Sequence, residues 1–151
     1  MNFLKKILII FFFLTPTSLS LAQVTHVDNQ TFEDGGSSIL NGIAFNSDGT
    51  KMFTSFSSST DNDDFNFINE YNLSTPFDIS THTYAGDTER CNLANGYDSG
   101  VHQKPDNTGD MTFSSNGMHI FTLNRGVNNA ANDVLYRYDL TKPFDVSTCT
   151  L

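Results

Sequence analysis

The chain has no tryptophan, only 2 cysteines and only 8 basic side chains, against 17 acidic ones among its 151 residues. Each shortage closes off a class of function. At a formal charge of -9 the surface repels phosphates rather than neutralising them, which argues against general binding to nucleic acid or anionic lipid. Two cysteines are too few for a zinc ribbon or a knottin-type framework. The sequence also lacks G-x-S-x-G, H-E-x-x-H, a P-loop and C-x-x-C, so it carries none of those catalytic signatures. Its length allows one domain at most. What it has in quantity is aromatic: 14 Phe and 5 Tyr exceed what a disordered chain carries.

The first 22 residues have their own logic. Lys5 and Lys6 precede the unbroken apolar run ILIIFFFL at 7–14, and Pro16 and Ser20-Leu21-Ala22 follow, with small residues at -3 and -1 of a cleavage site. This is the order of a secretory signal peptide. The apolar run is well short of the roughly 20 residues that span a bilayer. Residues 1–22 are therefore expected to be removed after Ala22, leaving 151 minus 22, or 129 residues, with 17 acidic and 6 basic side chains. The expected destination is the periplasm or the cell exterior, without stable membrane insertion after cleavage.

The rest of the chain is organised by a repeat. Residues 43–54 (IAFNSDGTKMFT) and 111–122 (MTFSSNGMHIFT) agree at five of twelve positions when Phe45 is set on Phe113. Residues 71–81 (YNLSTPFDIST) and 138–148 (YDLTKPFDVST) agree at seven of eleven. The offsets are 68 and 67, so two separate blocks recur at one spacing. Each unit reads as four strands, near 39–45, 51–56, 65–73 and 80–85 in the first and 110–114, 118–124, 133–140 and 147–151 in the second. Asp48-Gly49 suits a tight turn, because Asp bonds its own backbone and Gly tolerates positive φ. Pro76 and Pro143 each interrupt a ladder.

Four-stranded antiparallel meanders with such turns describe β-propeller blades. The blocks GIAF-x-x-DG-x-KMF and Y-x-L-S-T-P-F-D-I-S-T resemble the long-blade repeats of secreted bacterial β-propellers, similar in style to the YVTN and NHL groups. The fold class expected is all-β, with about two blades at 39–85 and 109–151 inside a partial propeller spanning 23–151. Residues 23–32 are expected to supply a closing outer strand, the alternative being a flexible exported tail. Propellers need roughly four to eight blades, so the chain reads as the N-terminal piece of a longer protein. The alternative is a protomer completed by self-association.

In such a meander the short turns share one end of the blade, and the long loops at 57–64, 86–109 and 126–133 share the other. Divergent loops on a rigid frame are where binding usually resides. Asp61, Asp63 and Asp64 cluster in one of them and form a candidate Ca²⁺ site through oxygen ligands, although the plainer reading is a solvated acidic tip. Asp98, His102, Asp106 and Asp110 are the loop-end binding candidates, with Arg90 in the same segment. His with carboxylates could serve as a base or bind metal, but a surface loop explains them equally. His26, His82 and His119 read as outer-strand or surface residues. Cys91 and Cys149 could pair with each other, pair elsewhere, or stay free. The functional expectation is an exported binding or scaffold module for a small molecule, glycan or protein. The alternatives are a propeller-type hydrolase or lactonase, and a surface adhesion or envelope component.

Overall fold

The computed structural model describes residues 29–32, 38–58, 66–93, 108–124 and 133–151. These residues are mainly strand, paired antiparallel throughout, with no α-helix among them. The first sheet holds β1 (Ser38–Phe45), β2 (Lys51–Ser58), β3 (Phe67–Leu73) and β4 (His82–Tyr84) in that order, with β5 (Cys91–Asn92) also on β3. The second holds β6 (Thr108–Phe113), β7 (His119–Asn124) and β8 (Val134–Asp139). The all-β reading is borne out, and so is the meander order within each unit.

The repeat extends to individual bonds. Asp48 Oδ1 accepts from the Thr50 N–H and hydroxyl at 3.0 and 2.6 Å, and Asn116 Oδ1 accepts from the Met118 N–H at 3.1 Å. The glycine that follows each of these residues has positive φ, 72° at Gly49 and 68° at Gly117. At the other turn, Phe77 and Phe144 both adopt positive φ, 60° and 54°. Each donates its N–H to the carbonyl of the glycine, Gly49 or Gly117, at 2.9 Å. Both turns of a unit are thus tied together at the same end of the sheet, as the meander order requires.

The fourth strands are shorter than expected. Residues 80–81 and 147–148 belong to 3-10 turns, Ile79–Thr81 and Val146–Thr148. The cause is local side-chain competition for the backbone. Asp78 Oδ1 accepts from the Ser80 N–H and hydroxyl, while Thr81 N–H bonds Asp78 O at 3.1 Å. Asp145 and Thr148 repeat the last contact at 3.2 Å. Pairing resumes directly after the turn at Leu73↔His82 in the first unit, and at the single bridge Asp139↔Thr150 in the second. The short β5, against Phe67 and Ile68, is an outer-edge strand that the repeat does not announce.

The sheets stack face to face. Phe53, Ile68, Cys91 and Leu93 of the first meet Met111, Ile120, Tyr136, Tyr138, Leu140 and Val146 of the second in one buried core. Burying each large apolar side chain of this kind contributes about 1.5–3 kcal/mol. On its far side the first sheet carries a smaller cluster of Met52, Tyr71 and Leu73, partly covered by Phe32, Phe45 and Ile79. With both faces occupied, β3 is buried at Ile68, Asn69, Glu70, Tyr71 and Leu73. In β8 burial alternates instead, with Tyr136 and Tyr138 inside and Leu135 and Arg137 outside.

Cys91 and Cys149 form a disulfide with a Cα–Cα distance of 5.7 Å, resolving the pairing left open by the sequence. It joins β5 of the first sheet to the end of the last 3-10 turn of the second. Of the expected closing strand at 23–32, only residues 29–32 are described, and they are not in a strand. Phe32 packs ring-on-ring against Tyr71 and His82, at 5.3 and 4.9 Å between centroids, which places it on a sheet face rather than along an edge.

Candidate functional site

The two inner strands, β1 and β6, lie side by side, and the seam between them has two chemically different ends. At the end where the long loops begin, the seam is polar. Both strands are irregular there: the register shifts between Leu40 and Gly42 in β1 and between Thr108 and Met111 in β6. A bulge re-aims a side chain. Asn41, left out of the register, points its amide across the seam, donating to Thr108 O and to Ser57 Oγ, each at 2.6 Å. Ser55 Oγ donates to Gly109 O at 2.9 Å.

Asp110 belongs to this end. It is exposed and accepts the Met111 N–H at 2.8 Å. It also explains why residue 42 is glycine: a Cβ there would stand 2.9 Å from Asp110 Oδ1 and 2.8 Å from Ser55 Oγ. Thr108 Oγ1, at the start of β6, and Asn66 Oδ1, just before β3, are buried with no hydrogen-bond partner among the described residues, as are the Thr54 and Thr122 hydroxyls within the core. Such atoms cost free energy unless something satisfies them.

At the turn end the seam opens into a groove of about 390 Å³, walled by Phe45, Phe113 and Phe144 and edged by Ser47, Ser114 and Ser115. Its aromatic walls are continuous with the scaffold. The Phe113 ring lies 5.2 Å from Phe144 and 4.6 Å from Phe53.

Just beneath, Lys51 Nζ reaches Glu70 Oε1 at 2.6 Å and donates to Phe144 O across the sheets at 3.2 Å. The Glu70 side chain is only 4% exposed. Burial pushes its carboxyl up from the ordinary value, partly opposed by Lys51. This pair was missed in the sequence. The available signal is an acid inside the strand FINEYNL, with a lysine on the neighbouring strand two positions from its cross-strand partner Phe53.

Of the sequence candidates, the structure places Asp110 at the polar end. Asp98, His102 and Asp106 lie outside the described residues, as do Asp61, Asp63 and Asp64 of the Ca²⁺ candidate. Arg90 stands apart from the seam, 3.9 Å over the Phe67 ring and ion-paired with Asp87 at 3.4 Å. His119 is bound to Asp139 Oδ1 at 2.8 Å, and that contact holds the exposed Asp139 carboxyl below its usual range. His82 Nδ1 lies 2.8 Å from Ile79 O, a local turn contact. Among the described residues no helix is long and apolar enough to cross a membrane. Comparison with protein-family models, with curated proteins and with solved structures found no match.

Proposed function

We propose that the chain is an exported β-propeller module of the long-blade type, which binds a small molecule, glycan or protein at the loop end of its seams. The architecture rests on recurrence. Two consecutive units place the same turns, the same positive-φ glycines and the same outer pairings at offsets of 67 and 68 residues, and they stack through adjacent inner strands. The disulfide suits an oxidising compartment, and with it the signal-type leader.

The observation that carries the choice of site is the exposed Asp110 at the polar end of the seam, beside Gly42 and the Ser55 hydroxyl. The groove at the turn end is walled by Phe45, Phe113 and Phe144 and edged by serines, whereas the loop end offers a carboxylate. An acidic surface with exposed amides and hydroxyls suits a cationic or hydroxyl-rich ligand better than a phosphate-rich one.

The test is a glycan and small-molecule array on the secreted chain, followed by titration of any ligand found. Asp110→Asn is expected to weaken binding at least tenfold. Ser47→Ala with Ser115→Ala is expected to leave affinity within twofold. The reverse result, with unchanged melting, would place recognition at the turn end. Replacing Asp61, Asp63 and Asp64 together by Asn, with calorimetry in Ca²⁺, decides whether that loop contributes a cation. N-terminal sequencing should begin at Gln23.

A further inference from the structure

Asparagine followed by glycine is a chemically unstable pair, because a glycine nitrogen with no Cβ beside it can attack the side-chain amide. The sequence has three such pairs, Asn41-Gly42, Asn95-Gly96 and Asn116-Gly117, and the structure describes the first and the third. Asn116 is exposed in the turn between β6 and β7. Its counterpart in the first unit is Asp48, also followed by glycine. One unit therefore already holds the residue that deamidation would make in the other.

In the folded turn the attacking atom is tied down. The Gly117 N–H donates to Ser114 O at 2.8 Å, and ring closure removes that hydrogen, so the bond has to be given up before the reaction starts. The Asn116 carbonyl is held as well: Oδ1 accepts from the Ser114 hydroxyl at 2.7 Å and from the Met118 N–H at 3.1 Å. Phe144 closes the turn, donating its N–H to Gly117 O at 2.9 Å with its ring over the glycine. The Asn116 side-chain nitrogen, by contrast, makes no hydrogen bond among the described residues, so replacing it by oxygen removes no contact.

We propose that Asn116 is a deamidation site, closed while its turn is folded and open when the turn unfolds, and that the fold accepts the aspartate produced. In the reaction Gly117 N bonds to Asn116 Cγ, and the side-chain nitrogen leaves as ammonia with the displaced proton. Water then opens the cyclic imide at Cγ to give aspartate, or at the main-chain carbonyl to give isoaspartate. Aspartate at 116 keeps the acceptor that the Ser114 hydroxyl and the Met118 N–H use. Asp48 already serves the Thr50 N–H and hydroxyl in this way, at 3.0 and 2.6 Å. Isoaspartate adds a main-chain carbon inside a turn fixed by Phe113↔Ile120 and by Ser114 N–H to His119 O at 2.9 Å, so the hairpin cannot close on it. The same change at Asn41 has the opposite effect from aspartate at 116. Asn41 Nδ2 donates to Thr108 O and Ser57 Oγ, each at 2.6 Å, which an ionised carboxylate cannot do. Aspartate there sets an oxygen against the Thr108 carbonyl.

The test is to age the chain, with its disulfide formed, in warm and mildly alkaline buffer, natively and in urea. Peptide mapping by mass spectrometry reads conversion at each asparagine separately. Position 116 is expected to convert at least tenfold faster in urea, because a reaction that proceeds only from the opened turn follows the population of that state. Asn116→Asp is expected to keep the parent urea midpoint at neutral pH, and Asn41→Asp to lower it. Material deamidated in urea and then refolded should carry aspartate at 116 in the folded fraction and isoaspartate in the fraction that fails to refold. Equal rates at 116 with and without urea overturn the inference, as does an Asn116→Asp midpoint that falls as far as that of Asn41→Asp. Isoaspartate found at 116 in the folded fraction counts equally against it.

Discussion

The ring of Phe77 closes over Gly49 so tightly that a Cβ on the glycine would stand 2.4 Å from the ring carbons. Phe144 does the same to Gly117, also at 2.4 Å. Two turns distant in sequence are thereby fastened by one aromatic lid, which itself sits on a strained positive φ.

Alanine at either glycine meets two penalties, backbone strain at positive φ and overlap with the ring. Gly49→Ala and Gly117→Ala are each expected to lower the unfolding free energy by about 2–4 kcal/mol. Gly86→Ala, where φ is 112° but nothing lies within 4 Å of the added carbon, should cost only the strain, about 1–2 kcal/mol. Urea denaturation of the three variants checks the order.

The disulfide spans a sequence separation of 58 residues. Loop-closure entropy for that length sets a stabilisation of about 4 kcal/mol, with about 2–4 usual in practice. Reducing it, or replacing both cysteines by Ser, should shift the urea midpoint accordingly. Peptide mapping without reductant should recover Cys91 and Cys149 in one linked fragment.

Glu70 should leave a signature in the pH dependence of stability. Its carboxyl is raised above 4.5 by burial, with the Lys51 pairing opposing, so the folded state holds the proton more firmly than the unfolded chain. Stability from this residue is therefore greatest below the unfolded value and declines as pH rises through the raised folded one. Relative to Glu70→Gln, the native protein should gain stability as pH falls from 7 towards about 4.5 and then level off. Urea midpoints of both proteins across that range give the difference directly, with the other carboxylates cancelling.

Arg90 over Phe67 is a partly exposed cation–π contact, and Arg90→Ala should cost about 0.5–1 kcal/mol. Arg90→Lys should restore part of that loss in the same measurement.

What could be read beforehand follows the range of the forces involved. The hairpin turns were legible because Asp48, Gly49 and Asn116 act on their own backbone within a few residues. The strands between them were legible because Phe45, Phe53 and Ile68 recur with their counterparts at one spacing. The fourth strands are shorter than their residue types suggest because Asp78 and Asp145 also act locally, holding the first residues in 3-10 geometry. Long-range contacts left little trace. The reach of Asn41 to Thr108 depends on a bulge, and the closeness of Cys91 to Cys149 depends on β5, neither of which has a periodic pattern. Of the candidate site, Asp110 was found because it opens an inner strand. The Lys51–Glu70 pair was not, because its burial depends on a second sheet whose position the local sequence does not state.

The sulfur link also changes how the molecule would carry mechanical load. Tension applied at the two ends would pass from Cys91 straight to Cys149, so β6, β7 and β8 would lie off the line of force. With a separation of 58 residues bypassed, roughly 200 Å of contour stays stored while the bond is intact. Pulled under oxidising conditions, only the first sheet would give way. Reductant would put the second in series with it and lengthen the extension by that amount.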